Sequence, residues 1–268
     1  MKLELAQRAC QITGNNLDLI YNHLGKRWSI MENEENMKIT ITKNGPYIVE
    51  GNIPLVKKTQ IVSEYGEPLT WQTLEKIETP PESYALCRCG NSKHKPFCDG
   101  THQRVPFDGK ETAITDGSEE NKRKLPGGKH FIVYVDSDLC MSSGFCNLRN
   151  IGIVNLVIDS EDTMKRSLAM AMIERCPSGA LTYQIEPDEP EIEPDLPKQI
   201  ADSIEITSDG PIEGPLWVTG YIPIVRSDGM PFVARNRVTL CRCGQSRNKP
   251  LCDGTHRHNA EWKSFWKE

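Results

Sequence analysis

The sequence predicts a multidomain α+β chain in which two small β-rich modules flank a compact α+β unit, with a short helical segment ahead of them. Three observations lead there. The stretch CRCGNSKHKPFCDGTH, from Cys87 to His102, returns almost unchanged as CRCGQSRNKPLCDGTH, from Cys241 to His256. Each copy follows alternating β-branched and polar residues around an Asn-Gly-Pro or Asp-Gly-Pro turn, the pattern of half-buried strands. Between the copies the pattern changes to a strand, a helix of period 3.6 and a returning strand.

Composition agrees with several small units. The chain has 268 residues, 37% hydrophobic and 26% charged, as in globular proteins. Only 7% are aromatic, which argues against one large core and for small units with local staples. A net charge of -5 gives no broad basic footprint for nucleic acid. No apolar run reaches transmembrane length, and MKLELAQRAC lacks the apolar region of a secretory signal. The expectation is a cytoplasmic chain with neither a membrane nor a nucleic-acid partner.

In chain order, residues 1–36 read as two short helices, with Leu17, Ile20, Tyr21 and Leu24 on one face and Gly25 as a cap. The segment is too short to fold alone and is expected to pack on the first module without chemistry of its own. Its Cys10 reads as a small buried apolar residue. Residues 37–112 form the first module, where the strands of ITITKNGPYIVEGNIPLV are followed by the lead YALC. Residues 128–186 form the middle unit. A strand at His130–Val135 enters a loop, a helix turns Met164, Leu168, Ala171 and Met172 inward, and ALTYQI returns as a strand. Residues 187–200, rich in proline and acid, read as a stiff solvated linker. Residues 201–268 form the second module. Its IEITSDGPIEGPLWVTGYIPIV parallels the first when Ile204 is set against Ile39, with four extra residues after the turn.

Nine of the ten cysteines lie in motif-like contexts. In a reducing compartment such clustering points to metal rather than disulfides. Cys87 and Cys89, at i and i+2 of an extended chain, point to one side, and Cys98 and His102, at i and i+4, share a helix face. Two such pairs suit two irons bridged by sulfide. Asp99 or Thr101 is placed to cap the turn between the second pair, and Pro96 and Pro250 stiffen the approach. The competing reading is one structural zinc on a Cys₃His set, although zinc sites usually place two to four residues between paired cysteines rather than one.

Cys-x-Cys, then Ser92 or Ser246, Pro96 or Pro250, and Cys-Asp-Gly-Thr-His resemble the CDGSH iron–sulfur (mitoNEET-type) family. Thr101 and Thr255 replace the serine of the family name. The resemblance extends upstream through the NGP and DGP strands. It implies one 2Fe–2S cluster per module, held by Cys87, Cys89, Cys98 and His102 in the first and by Cys241, Cys243, Cys252 and His256 in the second. Mitochondrial members carry a membrane anchor that is not expected here. Many members pair two identical chains, so the tandem modules are expected to dock as a pseudo-twofold pair. Independent beads on linkers are the alternative.

In the middle unit, CMSSGFC supplies Cys140 and Cys146, and CPSGAL supplies Cys176. A Cys-Pro step after a helix, with VDSDLC before the loop, resembles a single-cluster ferredoxin. Ser143 stands where a 4Fe–4S ferredoxin places a further cysteine. Three thiolates imply a 3Fe–4S cluster, with 4Fe–4S completed by Ser143 or water as the alternative. Ser143 itself reads as a plain loop hydroxyl, and a zinc there lacks a fourth ligand.

No GxGxxG, P-loop or nucleophile motif suggests a catalytic residue. Three thiolates and one imidazole leave an oxidised 2Fe–2S site less negative than four thiolates do, which raises its potential. The outer imidazole nitrogen couples reduction to protonation, and a protonated imidazole is a poor ligand. The expected function is single-electron transfer with a redox partner protein, through two 2Fe–2S clusters and one 3Fe–4S or 4Fe–4S cluster. The alternatives are a cluster donor to an apo-acceptor, a redox or pH sensor, and a zinc-binding scaffold. Arg88, Lys93, Lys95, Arg242, Arg247 and Lys249 read as ordinary solvated charges, or as groups that soften the cluster's charge or dock an acidic partner. His94, replaced by Asn248 in the second copy, reads as a solvated loop residue.

Overall fold

The computed structural model describes residues 36–114, 122–149 and 151–257. The expected N-terminal helices and Cys10 lie outside the described residues. The first copy supplies strands β1 (Lys38–Ile41), β2 (Tyr47–Glu50), β3 (Leu55–Val62), β4 (Pro68–Ile77) and β5 (Ser83–Leu86). The middle unit supplies β6 (Lys122–Lys124), β7 (Ile132–Asp136), β8 (Asn147–Leu148), β9 (Ile151–Gly152), helices α1 (Ile153–Ile158) and α2 (Thr163–Glu174), and β10 (Leu181–Gln184). The second copy supplies β11 (Gln199–Thr207), β12 (Gly210–Thr219), β13 (Ile224–Val225) and β14 (Arg237–Leu240).

Two sheets are built from strands of both copies. One has the order β13-β1-β2-β5 and the other β14-β12-β11-β3-β4. The crossings match. β13 runs parallel to β1 with Ile39 opposite Ile224, and β3 runs parallel to β11 with Leu55 opposite Ile200. At each crossing one amide closes the junction: Ile39 N donates to Pro223 O and Ile200 N to Pro54 O, both at 2.9 Å. The inward residues merge into one core, where Ile39, Val49, Ile53 and Leu55 pack with Ile200, Val218, Ile222 and Ile224. Burial of this shared apolar surface is the main force holding the copies together.

The pairing corrects the alignment of the repeats. Ile39 lies opposite Val49, and Ile200, not Ile204, lies in the same place opposite Val218. Ile204 to Glu213 instead extend the β11–β12 hairpin, with Ile204 facing Glu213 and Thr207 facing Gly210. The Asp-Gly-Pro of the second copy is the tip of this extension. Strand pairing, not turn identity, fixes register.

In the middle unit β10, β7 and β6 form a sheet, and α2 lays Ala169, Met172 and Ile173 against it beside Phe131 and Val133. The face of α2 is therefore shifted from the expected one, and Met164 is 80% exposed. The reason is local. Asp162 caps the helix by accepting from Met164 N and Lys165 N, so Met164 lies in the first turn, short of the sheet. The segment expected to be a solvated linker is partly bound. Ile192 bridges to Tyr183, Glu193 pairs with Arg237, and the Pro194 carbonyl accepts from Asn236 Nδ2 at 2.7 Å.

Candidate metal centres

The two cysteine–histidine loops are built alike. Each starts where a strand ends, and the strand's ladder continues into the loop. Cys87 N donates to Pro96 O and Cys241 N to Pro250 O, while Cys98 N donates to Ala85 O and Cys252 N to Thr239 O. Ser92 and Ser246 pin the loop from inside, donating to Phe97 O at 2.6 Å and Leu251 O at 2.7 Å. Asp99 accepts from Lys93 N and Thr101 N, and Asp253 from Arg247 N and Thr255 N. The aspartate, not the threonine, is the cap. These backbone donors hold the Asp99 carboxyl well below the usual carboxylate range. The expected helix face is a single 3-10 turn, at Thr101–Gln103 and at Thr255–Arg257.

These loops bring the four predicted donors of each copy into two pairs. Cys87 Sγ and Cys89 Sγ are 3.8 Å apart, and Cys241 Sγ and Cys243 Sγ 3.7 Å. Cys98 Sγ lies 3.4 Å from His102 Nδ1, and Cys252 Sγ 3.3 Å from His256 Nδ1. Two thiolates at about 2.3 Å from one tetrahedral ion stand about 3.7 Å apart, and a thiolate and an imidazole nitrogen about 3.5 Å. Each pair therefore fits one tetrahedral ion. Among the described residues no three His, Cys, Asp or Glu side chains gather around a single-ion site. Burial raises the thiol pKa of Cys89, Cys98 and Cys252. The contact with Cys243 lowers Cys241 to about 6 and raises Cys243.

Arg88 and Arg242 are not solvated. They are 2% and 5% exposed. Between two thiols that point one way, the middle residue of Cys-Arg-Cys points the other way into the protein. Arg88 donates to Gly109 O and lies over the rings of Tyr47 and Phe107. Arg242 donates to Gly214 O at 2.7 Å and pairs with Asp202. Lys93 and Arg247 are exposed, as is Lys95, which pairs with Glu213 at 2.7 Å; Lys249 is half-buried. His94 is exposed as expected, whereas Asn248 is half-buried and donates to Asp138 O.

The three thiols of the middle unit lie near enough for their charges to act on one another. Cys140 follows a 3-10 turn, Cys146 precedes β8 and Cys176 follows α2. Burial, then the charges of Cys176 and Cys140, raise the pKa of Cys146. Ser143 is buried, with its carbonyl 3.5 Å from Gln60 Nε2. A serine that the sequence reading passed over, Ser178, has its hydroxyl 3.5 Å from Cys176 Sγ.

Comparison with known families agrees with this geometry. The family described as iron-binding zinc finger CDGSH type matches residues 44–103 and 213–257. The family described as divergent 4Fe-4S mono-cluster matches residues 127–186 between them. The chain carries two CDGSH-type iron–sulfur domains with a mono-cluster domain between them. No curated protein and no solved structure matches it. Among the described residues no helix is long and apolar enough to cross a membrane.

The three sites of this tandem CDGSH protein touch one another. A Cβ added at Gly90 would sit 2.5 Å from Cys243 O, and one at Gly244 would sit 2.7 Å from Cys89 O. Only a residue without a side chain allows this approach, and both glycines have positive φ. On the other side, a Cβ at Gly254 would sit 2.7 Å from Met141 O, and Arg257 donates to Ser142 O. The second CDGSH site thus lies between the first and the mono-cluster site. Sequence reasoning missed Glu205, whose carboxylate meets His256.

Proposed function

We propose that the two CDGSH domains pair as pseudo-twofold equivalents and hold one 2Fe–2S cluster each. The ligands are Cys87, Cys89, Cys98 and His102 in one domain and Cys241, Cys243, Cys252 and His256 in the other. Cys140, Cys146 and Cys176 hold a third cluster, and the chain passes single electrons along the three sites to or from a redox partner protein. The reciprocal strand crossings support the pairing. The observation that carries the cluster assignment is the division of each donor set into two pairs at tetrahedral spacing. A structural zinc draws all four donors to one point, whereas a two-iron core needs two separated pairs. Bound iron–sulfur clusters supply one-electron chemistry. The chain's own part is to anchor the donors on strand ends, seal the Cys-x-Cys side with buried arginines, and leave glycine backbone between neighbouring sites.

Three thiolates suit a 3Fe–4S cluster at the middle site. The match to a 4Fe–4S family favours four irons there, with an oxygen donor completing the set. Iron and sulfide analysis combined with electron paramagnetic resonance tests the whole reading. Brown protein with equal iron and sulfide in both CDGSH domains is expected. A resonance from the oxidised middle site marks three irons, and its absence before reduction marks four. Colourless protein with stoichiometric zinc would overturn the assignment.

A further inference from the structure

His102 and His256 occupy the same place in the two CDGSH domains, yet their outer nitrogens meet different surroundings. His256 Nε2 lies 3.2 Å from Glu205 Oε2, with the two side chains 5% and 0% exposed. The same carboxylate oxygen lies 3.3 Å from Arg257 Nε. Arg257 in turn donates to Ser142 O, between Cys140 and Cys146 of the middle site. His102 Nε2 instead faces the turn at Gly45, where an added Cβ would be 3.7 Å away.

Neither partner exists in the first copy. Glu205 belongs to the β11–β12 extension, which the first copy replaces with a tight turn in which Gly45 N donates to Thr42 O. Arg257 stands where the first copy has Gln103. A carboxylate buried with one oxygen unpartnered, as Glu205 Oε1 is, is costly unless strong partners meet its charge. Both partners of Glu205 converge on its other oxygen.

A ligating imidazole that donates its second N–H to a carboxylate becomes a stronger donor to the metal. Stronger donation favours the oxidised state and lowers the reduction potential.

Resting on the iron–sulfur reading above, we propose that Glu205, oriented by Arg257, is a positioning residue that makes the two CDGSH sites unequal. It sets the second site at a lower potential than the first, so that an electron leaving the second site reduces the first. A one-electron donor protein then resupplies the second site, directly or through the middle site that Arg257 touches. The effect comes from the charge and place of Glu205 and shows at a single fixed pH.

The full chain, loaded with iron and sulfide, is titrated against redox mediators and followed by electron paramagnetic resonance, with His102→Cys and His256→Cys assigning the signals. Two distinct potentials are expected in the wild type, the lower belonging to the second copy. Glu205→Gln raises that lower potential and narrows the gap while leaving the first copy's value in place. Arg257→Gln moves it the opposite way, because the carboxylate loses its compensating charge. A role limited to holding the loop would move both variants in one direction. Equal potentials in the wild type, the reverse order, or same-direction shifts in the variants would overturn the proposal. If Glu205→Gln fails to load its second site, the wild-type order still decides. Zinc in place of iron would instead sink the underlying reading, and metal analysis of the same sample identifies that case.

Discussion

Arg237 shows how much one side chain outside the metal motifs does for them. Its side chain is 0% exposed and its Nε lies 2.9 Å from Glu193. Its Nη1 donates to the carbonyls of Ile173, Glu174 and Cys176 at 2.8, 2.8 and 2.9 Å, and its Nη2 to Leu181 O at 3.1 Å. A helix leaves its last carbonyls without internal partners, and a cation at that end is favoured by the helix dipole. Arg237, from the second CDGSH domain, fills both roles for α2 and fixes the segment that carries Cys176. Arg237→Met is expected to cost about 3–5 kcal/mol, since it strands Glu193 and several carbonyls together, and urea unfolding measures it. The eleven candidate donors stand out at this scale because their motifs are short, and in the two CDGSH copies the spacing repeats. Arg237 and Glu205 do not, because they lie 61 residues from Cys176 and 51 from His256. No local period records a contact across such a distance.

Among the elements, the β3–β4 hairpin is the one the sequence hid. β3 carries KKTQ and most of β4 is exposed, so neither strand shows a clean alternation. Their order comes from lateral hydrogen bonds to β11, which leave no apolar imprint. The hairpin nevertheless reaches the middle site. Trp71 lies 5.6 Å from the ring of Phe145, next to Cys146, and 5.3 Å from that of Trp217. The buried Gln60 accepts from Ile206 N at 3.0 Å, and its amide nitrogen lies 3.5 Å from Ser143 O. Trp71→Ala is expected to cost about 2–3 kcal/mol, below a fully buried aromatic because Trp71 is partly exposed. Hydrogen exchange should quicken at residues 140–146 before it does at either CDGSH loop. By contrast α2 and β10 were foreseen, since one carries helical periodicity and the other a short β-rich run. Only the inward face of α2 was misplaced, because the Asp162 cap sets where the helix begins.

Across the whole molecule the two CDGSH copies cannot be laid apart without tearing β13 from one sheet and the β3–β4 hairpin from the other. A protease site placed at the exposed residues 187–190 tests this. After cleavage the two pieces are expected to co-elute on size exclusion and to separate only in denaturant. Separation in native buffer would show that the copies stand as independent beads. The tandem repeat itself was plain in the sequence. Its crossing was not, because parallel pairing between β1 and β13, or β3 and β11, joins segments with no shared turn. The misaligned register followed from the same blindness, since DGP resembles NGP in letters while serving a different hairpin.

The Gly90–Cys243 and Gly244–Cys89 approach sets two halves of one chain against each other. In a complex of two identical chains, whatever is added beside one half is added beside the other, and dilution pulls the halves apart. Joined end to end, the halves stay together at any dilution, and each is free to change alone. Glu205 and Arg257 stand on one side only, a difference that two copies of a single shorter chain have no means to inherit.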